Sequence, residues 1–288
     1  NLSSQIQEDD EMIMVQDELI LNHQSGMTIF SESDTMISGT FSNLTSANNT
    51  LIYNTANGFS LLGNNWPGEI HSDATYYSDY YWFIAETDSF GKQLHRANSS
   101  TVERITTQLT GNPGQIISPT NLGESIVFDS NGIVSLDTNS LQIIELNTSI
   151  QSIPQDSDWI VSEGLLWFQC GIPSNGYELC VSDGENAWLH SDHVAGMQSS
   201  SPNNFALVGD EVILMIEDPT QGGQLARITD TGLEVLWDHD SGNLESGVHG
   251  QLWVGNDFVF FIADDASLGL ELYAWAHGEI SEEWIVIH

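Results

Sequence analysis

The 288-residue chain carries 41 Asp and Glu against four Lys and Arg, a formal net charge of −37. Charged residues make up only 16%, against roughly 25% in ordinary globular chains, so the surface is depleted in bases rather than overloaded with acids. Such a field repels nucleic acid and anionic membrane, both of which need clustered Lys or Arg, and it attracts cations and basic partners.

No run approaches the roughly 18 apolar residues of a membrane span, so no membrane insertion is expected. The opening "NLSSQIQEDD" has neither the basic nor the apolar part of a signal peptide. Residues 1–11 read as an N-terminal extension, and 12–288 as a single β-domain.

From residue 12 onward one hairpin recurs: a short apolar strand, a polar turn and a second apolar strand. It appears as "MIMVQDELIL" (12–21), "DWIVSEGLLWFQC" (158–170), "FALVGDEVIL" (205–214) and "QLWVGNDFVFF" (251–261). Looser copies are "TSANNTLIY" (45–53), "TYYSDYYWF" (75–83) and "TNLGESIVF" (120–128). Second strands are expected to begin near Glu18, Thr50, Tyr80, Ser125, Leu165, Glu211 and Phe258.

Eleven positions after four of these starts comes a glycine, any residue, an acid or amide, and leucine: "GKQL" at Gly91, "GYEL" at Gly176, "GGQL" at Gly222 and "GLEL" at Gly269. The glycine suits a turn of positive φ, and the residues after it alternate as a third strand should. A fourth strand is expected in "VERITTQL", "LQIIELN", "NAWLHS", "LEVLWDH" and "EEWIVIH", all but the last followed by a longer polar return loop.

Four-stranded units at this period, with no helical periodicity, predict an all-β fold: a β-propeller of seven four-stranded blades. The blades start near 12, 45, 75, 120, 158, 204 and 251. Six blades is the alternative if 45–72 is an insertion, and two stacked sandwiches are the structural rival.

The pattern in 164–217 ("GYELCVSDG", "SSSP", "LVGDEVIL") and 251–276 ("FIADD", "GLELYAW") resembles the ELWxTDGT-type repeats of secreted and cell-surface bacterial and archaeal proteins. Cys180 stands where those repeats carry Trp, and the threonine after Asp-Gly is absent. The resemblance implies a propeller on the outside of a cell and names no substrate.

Cys170 and Cys180 flank the turn of one hairpin at equal distance from Asn175. In a simple antiparallel register they face each other within disulfide range; the other reading is two buried thiols. Sequons stand at Asn1, Asn43, Asn48, Asn98 and Asn147, a number that chance alone yields; their placement in expected loops or at strand ends is compatible with glycosylation, for which Asn43, Asn48, Asn98 and Asn147 are the candidates.

Loops joining second to third strands, and fourth to first, should share one face. Several are acidic: Glu86 and Asp88, Asp156 and Asp158, Glu217 and Asp218, Asp238 and Asp240, Asp264 and Asp265. Such carboxylates are Ca²⁺-type donors, although none fits the twelve-residue calcium loop, and a solvated acidic surface accounts for them. No other cofactor is expected. His190 and His193 have zinc-like spacing without further ligands nearby. Trp82, Trp167 and Trp253 read as core, and Trp66 in "NNWPG" as a loop-packing residue or a sugar platform.

Arginines are too few for a sialidase-type carboxylate grip, and no nucleophile elbow or phosphate loop is present. The expected function is a non-enzymatic extracellular binding or assembly module for glycans or for other chains of a surface or filament. The alternative is a Ca²⁺-assisted glycosidase or lyase using loop carboxylates.

Overall fold

The computed structural model describes residues 11–16, 18–23, 26–30, 35–87, 89–107, 119–129, 133–144, 146–154, 158–237, 247–255, 257–265, 269–277 and 285–287. These residues are strands and turns, and no helix among them is long and apolar enough to cross a membrane. The chain divides into two compact units, 1–143 and 144–288. Apart from Glu11, the expected N-terminal extension lies outside the described residues.

The first unit repeats an antiparallel four-stranded meander. Strands β1 (Glu11–Val15), β2 (Glu18–His23), β3 (Gly26–Phe30) and β4 (Thr35–Ser38) form one sheet. A second comprises β5 (Phe41–Ala47), β6 (Thr50–Thr55), β7 (Gly58–Leu61) and β8 (Asn64–Trp66). The short β9 (Glu69–Ile70) joins β10 (Thr75–Tyr77), β11 (Tyr80–Glu86), β12 (Gln93–Ala97) and β13 (Val102–Arg104) in a third. The fourth holds β14 (Thr120–Leu122), β15 (Ser125–Asp129), β16 (Ile133–Asp137) and β17 (Ile143–Ile144). Residues 41–66 are thus a complete meander of the common kind, turned at Asn48 and Asn49 with φ of 45° and 57°, the geometry of a tight hairpin.

In the second unit, β18 (Asn147–Thr148) lies parallel to β22 (Asn186–Ser191), the last strand of a meander that begins with β19 (Trp159–Ser162), β20 (Leu165–Ile172) and β21 (Gly176–Ser182). Two further meanders succeed it. One is β23 (Asn203–Val208), β24 (Glu211–Asp218), β25 (Gly222–Thr229) and β26 (Gly232–Trp237). The other is β27 (Gly247–Val254), β28 (Phe258–Asp265), β29 (Gly269–Ala276) and β30 (Ile285–Ile287). A parallel contact between Gly223 and Gly247 merges them into one eight-stranded sheet. A Cβ on either glycine would collide with the other strand's backbone.

All seven second strands begin at the residues that the hairpin repeat predicts. Gly91, Gly176, Gly222 and Gly269 adopt φ of 70°, 77°, 90° and 81°, where a side chain would be strained. The second strands are near-continuous apolar runs because both their faces are covered. In β11, Tyr81, Phe83 and Ala85 pack with Ile52, Phe59 and Leu61, whereas Trp82 and Ile84 pack with Ile126, Phe128 and Leu136. In β24, Val212, Leu214 and Ile216 meet Trp167, Leu179 and Val181 on one side. Ile213 and Met215 meet Val259, Phe261 and Tyr273 on the other. Each sheet therefore stacks face to face on the next within its unit.

Trp82 and Trp167 are buried as expected, but Trp253 is 45% exposed. Trp253 opposes Phe260, on the face of β28 turned away from the Val259–Phe261–Ala263 cluster.

Candidate functional site

The return loop from β22 to β23 is fixed from below by one buried acid. Glu178, in the "GYEL" motif, accepts the Ser200 amide at 2.8 Å, the Ser200 hydroxyl at 2.6 Å and the His193 amide at 3.1 Å. Burial raises its pKa, and these hydrogen bonds oppose the rise. The equivalent Gln93 does the same work with an amide, accepting the Thr106 hydroxyl and donating to the Phe90 carbonyl. Asp158, raised by burial, accepts the Phe205 amide at 3.1 Å. The acids with raised pKa are thus engaged with backbone amides.

Above this loop, a cavity of about 680 Å³ opens between the last two meanders. Its walls include Ser199, Asn203, Asn204, Glu217, Asp218 and His249. Asn204, at φ 52°, donates through Nδ2 to the Gly250 carbonyl at 2.9 Å, tying β23 to β27. Glu217 anchors its strand by donating its amide to the Ser200 carbonyl at 2.7 Å. Asp218 caps its own turn, accepting the Thr220 hydroxyl and the Thr220 and Gln221 amides. The Thr220 hydroxyl bond leads in holding the Asp218 carboxyl below the usual carboxylate range. An ionised, turn-bound carboxylate of this kind accepts hydrogen bonds from a ligand and is poorly suited to protonate a leaving group.

The structure brings Glu217 and Asp218 together at this cavity on the expected loop face. Asp88, Asp156, Asp238 and Asp240 lie outside the described residues. Among the described residues, no group of three or more His, Cys, Asp or Glu is placed to hold a metal ion. His190 and His193 are not paired as ligands: the His190 ring stands edge-on to Trp167 and donates from Nε2 to the Thr229 carbonyl at 2.9 Å.

Cys170 and Cys180 form a disulfide, both fully buried, with Cα atoms 5.7 Å apart. They do not oppose each other directly. Cys170 pairs with Glu178 and Cys180 with Phe168, so the hairpin axis falls at residue 174 and the bridge runs diagonally.

Among the sequons, Asn48 is exposed in its turn. Asn43 is engaged through Nδ2 with the Ile70 carbonyl at 2.8 Å, so its amide nitrogen is already bonded. Asn98 uses Oδ1 to cap the Ser100 and Thr101 amides. Asn147 begins β18, and Asn1 lies outside the described residues. Trp66, on β8, packs against the Ile52–Phe59–Phe83 cluster, which favours the packing role over the sugar platform. Residue order did not reveal the anchoring role of Glu178, although its place in the repeated motif marked the position.

No family model matches the chain, and no curated protein matches it. Solved structures do share its architecture. The computationally designed Ika8 protein superposes with a TM-score of 0.58 at 10% identity, over 95% of this chain and 85% of that one. BamB from Moraxella catarrhalis gives 0.55 at 13% identity, over 98% and 85%. The dihydro-heme d1 dehydrogenase NirN, in complex with DHE, gives 0.57 at 8% identity, over 96% and 66%. The likeness is one of fold, and with the serial meanders it places the chain among all-β proteins of the β-propeller class.

Proposed function

We propose that the chain is a seven-bladed propeller acting outside the cell as a non-enzymatic binding and assembly module. Its ligands are glycans or other chains of a surface or filament. The observation that carries this reading is the engagement of three acids: Asp218 is bonded to its own turn, and the raised acids Glu178, on β21, and Asp158 anchor loop amides. What the cavity offers a ligand is amide, hydroxyl and carboxylate groups in fixed places, the equipment of recognition rather than of acid catalysis. The base-poor surface, the oxidised cysteine pair and the resemblance to ELWxTDGT-type repeats support the extracellular setting.

The test exposes the full chain to a panel of neutral and acidic oligosaccharides, measuring retention and the release of new reducing ends. Retention without cleavage, weakened by Asn203→Ala, is the expected result. Shortened glycans would overturn the reading in favour of the carbohydrate-active alternative.

A further inference from the structure

On the second unit, a separate groove of about 280 Å³ lies between the β19–β22 and β23–β26 meanders. Ile160, Trp167, Val181 and Trp188 form one cross-strand row on the same face of their sheet. The inner three pack toward the neighbouring meander, while Trp188 at the outer end is 41% exposed. Trp167, Trp188 and His190 thus give the groove an aromatic wall, faced by Val212 and Ile228. Glu163, Asp210, Glu211 and Asp230 also line it, with no lysine or arginine.

The groove's fixed charge is one-sided, all carboxylate, beside neutral donors that include the Ser162 hydroxyl and the Trp167 and Trp188 indoles. His190 donates its Nε2 hydrogen to the Thr229 carbonyl, and the Thr229 hydroxyl donates to the Gly232 carbonyl at 3.0 Å. Those donors are turned inward, and the carboxylates can only accept. Glu211 is held by Arg227 at 2.6 Å and by His277 at 3.0 Å, but Glu163 and Asp230 stand exposed. The complementary ligand therefore donates, is cationic, and has an apolar stem to lie on an indole. Drug-sized ligands take roughly 300–1,000 Å³, so the volume suits one long side chain.

We propose that this groove receives a lysine or arginine side chain from a basic segment of a partner protein. A second copy of this chain is a poor source, since it has four Lys and Arg in all, and Arg96 and Arg227 are ion-paired within the fold. The inference rests on the binding-module reading and supplies it with a partner chemistry.

The test titrates the full chain with acetylated, amidated Gly-Gly-Lys-Gly-Gly and its arginine and norleucine counterparts, following tryptophan fluorescence and binding heat. Trp188→Ala is expected to weaken the lysine peptide about fivefold, as loss of a cation–aromatic contact does. Glu163→Gln should weaken it about threefold in low salt. Glu185→Gln, which removes an equal charge at an exposed turn outside the groove, should leave it unchanged. The proposal is overturned if norleucine binds as well as lysine, if Glu185→Gln costs as much as Glu163→Gln, or if a neutral oligosaccharide displaces the peptide. Glycan cleavage alongside the expected lysine dependence would sink the module reading alone. Failure of the peptide series without cleavage would sink this inference alone.

Discussion

Ser200 places both its hydroxyl and its amide on the carboxylate of Glu178, at 2.6 and 2.8 Å, across 22 residues of sequence. Because Glu178 is fully buried, an unpaired partner there has no water to turn to. Glu178→Gln sets an amide N–H against existing donors and should cost about 2–3 kcal/mol; Ser200→Ala should cost about 1–2 kcal/mol. Denaturant unfolding of both single variants and the double variant checks this, and the double should cost less than the sum.

Glycines at one motif position predict unequal outcomes. Gly91 and Gly176 share the positive-φ conformation, but a Cβ on Gly91 meets nothing within 4 Å, whereas one on Gly176 comes within 2.8 Å of the Gln198 carbonyl carbon. Gly91→Ala should cost about 1–2 kcal/mol from backbone strain alone. Gly176→Ala adds a backbone clash and should cost at least about 3 kcal/mol, read from paired melting curves.

The repeat was legible because strands covered on both faces require apolar runs, and because in four of the seven repeats the glycine turn fixes a constant distance from the second strand to the third. Trp253 was not, since "QLWV" gives no alternation to tell its faces apart. The cysteine register failed by one residue for a similar reason: nothing in "GIPSNGYE" favours an axis at Asn175 over Ser174. Glu178 looked like an ordinary strand acid because its partners come from a return loop whose path no local pattern encodes. The groove at Trp188 needs two sheets to exist.

Acid should weaken the fold in a definite window. Burial lowers the pKa of His95 from its ordinary 6.5, and its ring is bonded to the Gln93 carbonyl and the Thr87 hydroxyl. The unfolded chain takes up this proton as pH falls below 6.5 while the folded chain resists, so stability is lost from there down to the folded pKa. Glu178 and Asp158 run the other way: their contribution is complete below the unfolded values of 4.5 and 3.8 and is lost as pH rises through the raised ones. As pH drops below 6.5, unfolding free energies measured in 1 M NaCl, which screens the net charge, should hold up better in His95→Gln than in the parent.

Joining Cys170 to Cys180 closes a short loop, worth about 2–3 kcal/mol in the chain-entropy account. The Cys170→Ser, Cys180→Ser double variant should unfold earlier by that amount. Thiol titration of the intact, denatured protein should find no free sulfhydryl.

A charge of −37 should make the melting temperature rise between 20 mM and 1 M NaCl as repulsion is screened. Mg²⁺ or Ca²⁺ at matched ionic strength should add nothing further; an extra rise with Ca²⁺ would reveal a stabilising ion site.

The bare-backbone contact of Gly223 with Gly247 joins the last two meanders at one point. Because each lacks a side chain where the other's chain passes, they share a hydrogen-bonded sheet as well as an apolar face. Opening either one breaks this joint and uncovers the shared apolar face, so amide exchange should report coupled protection across β23–β29.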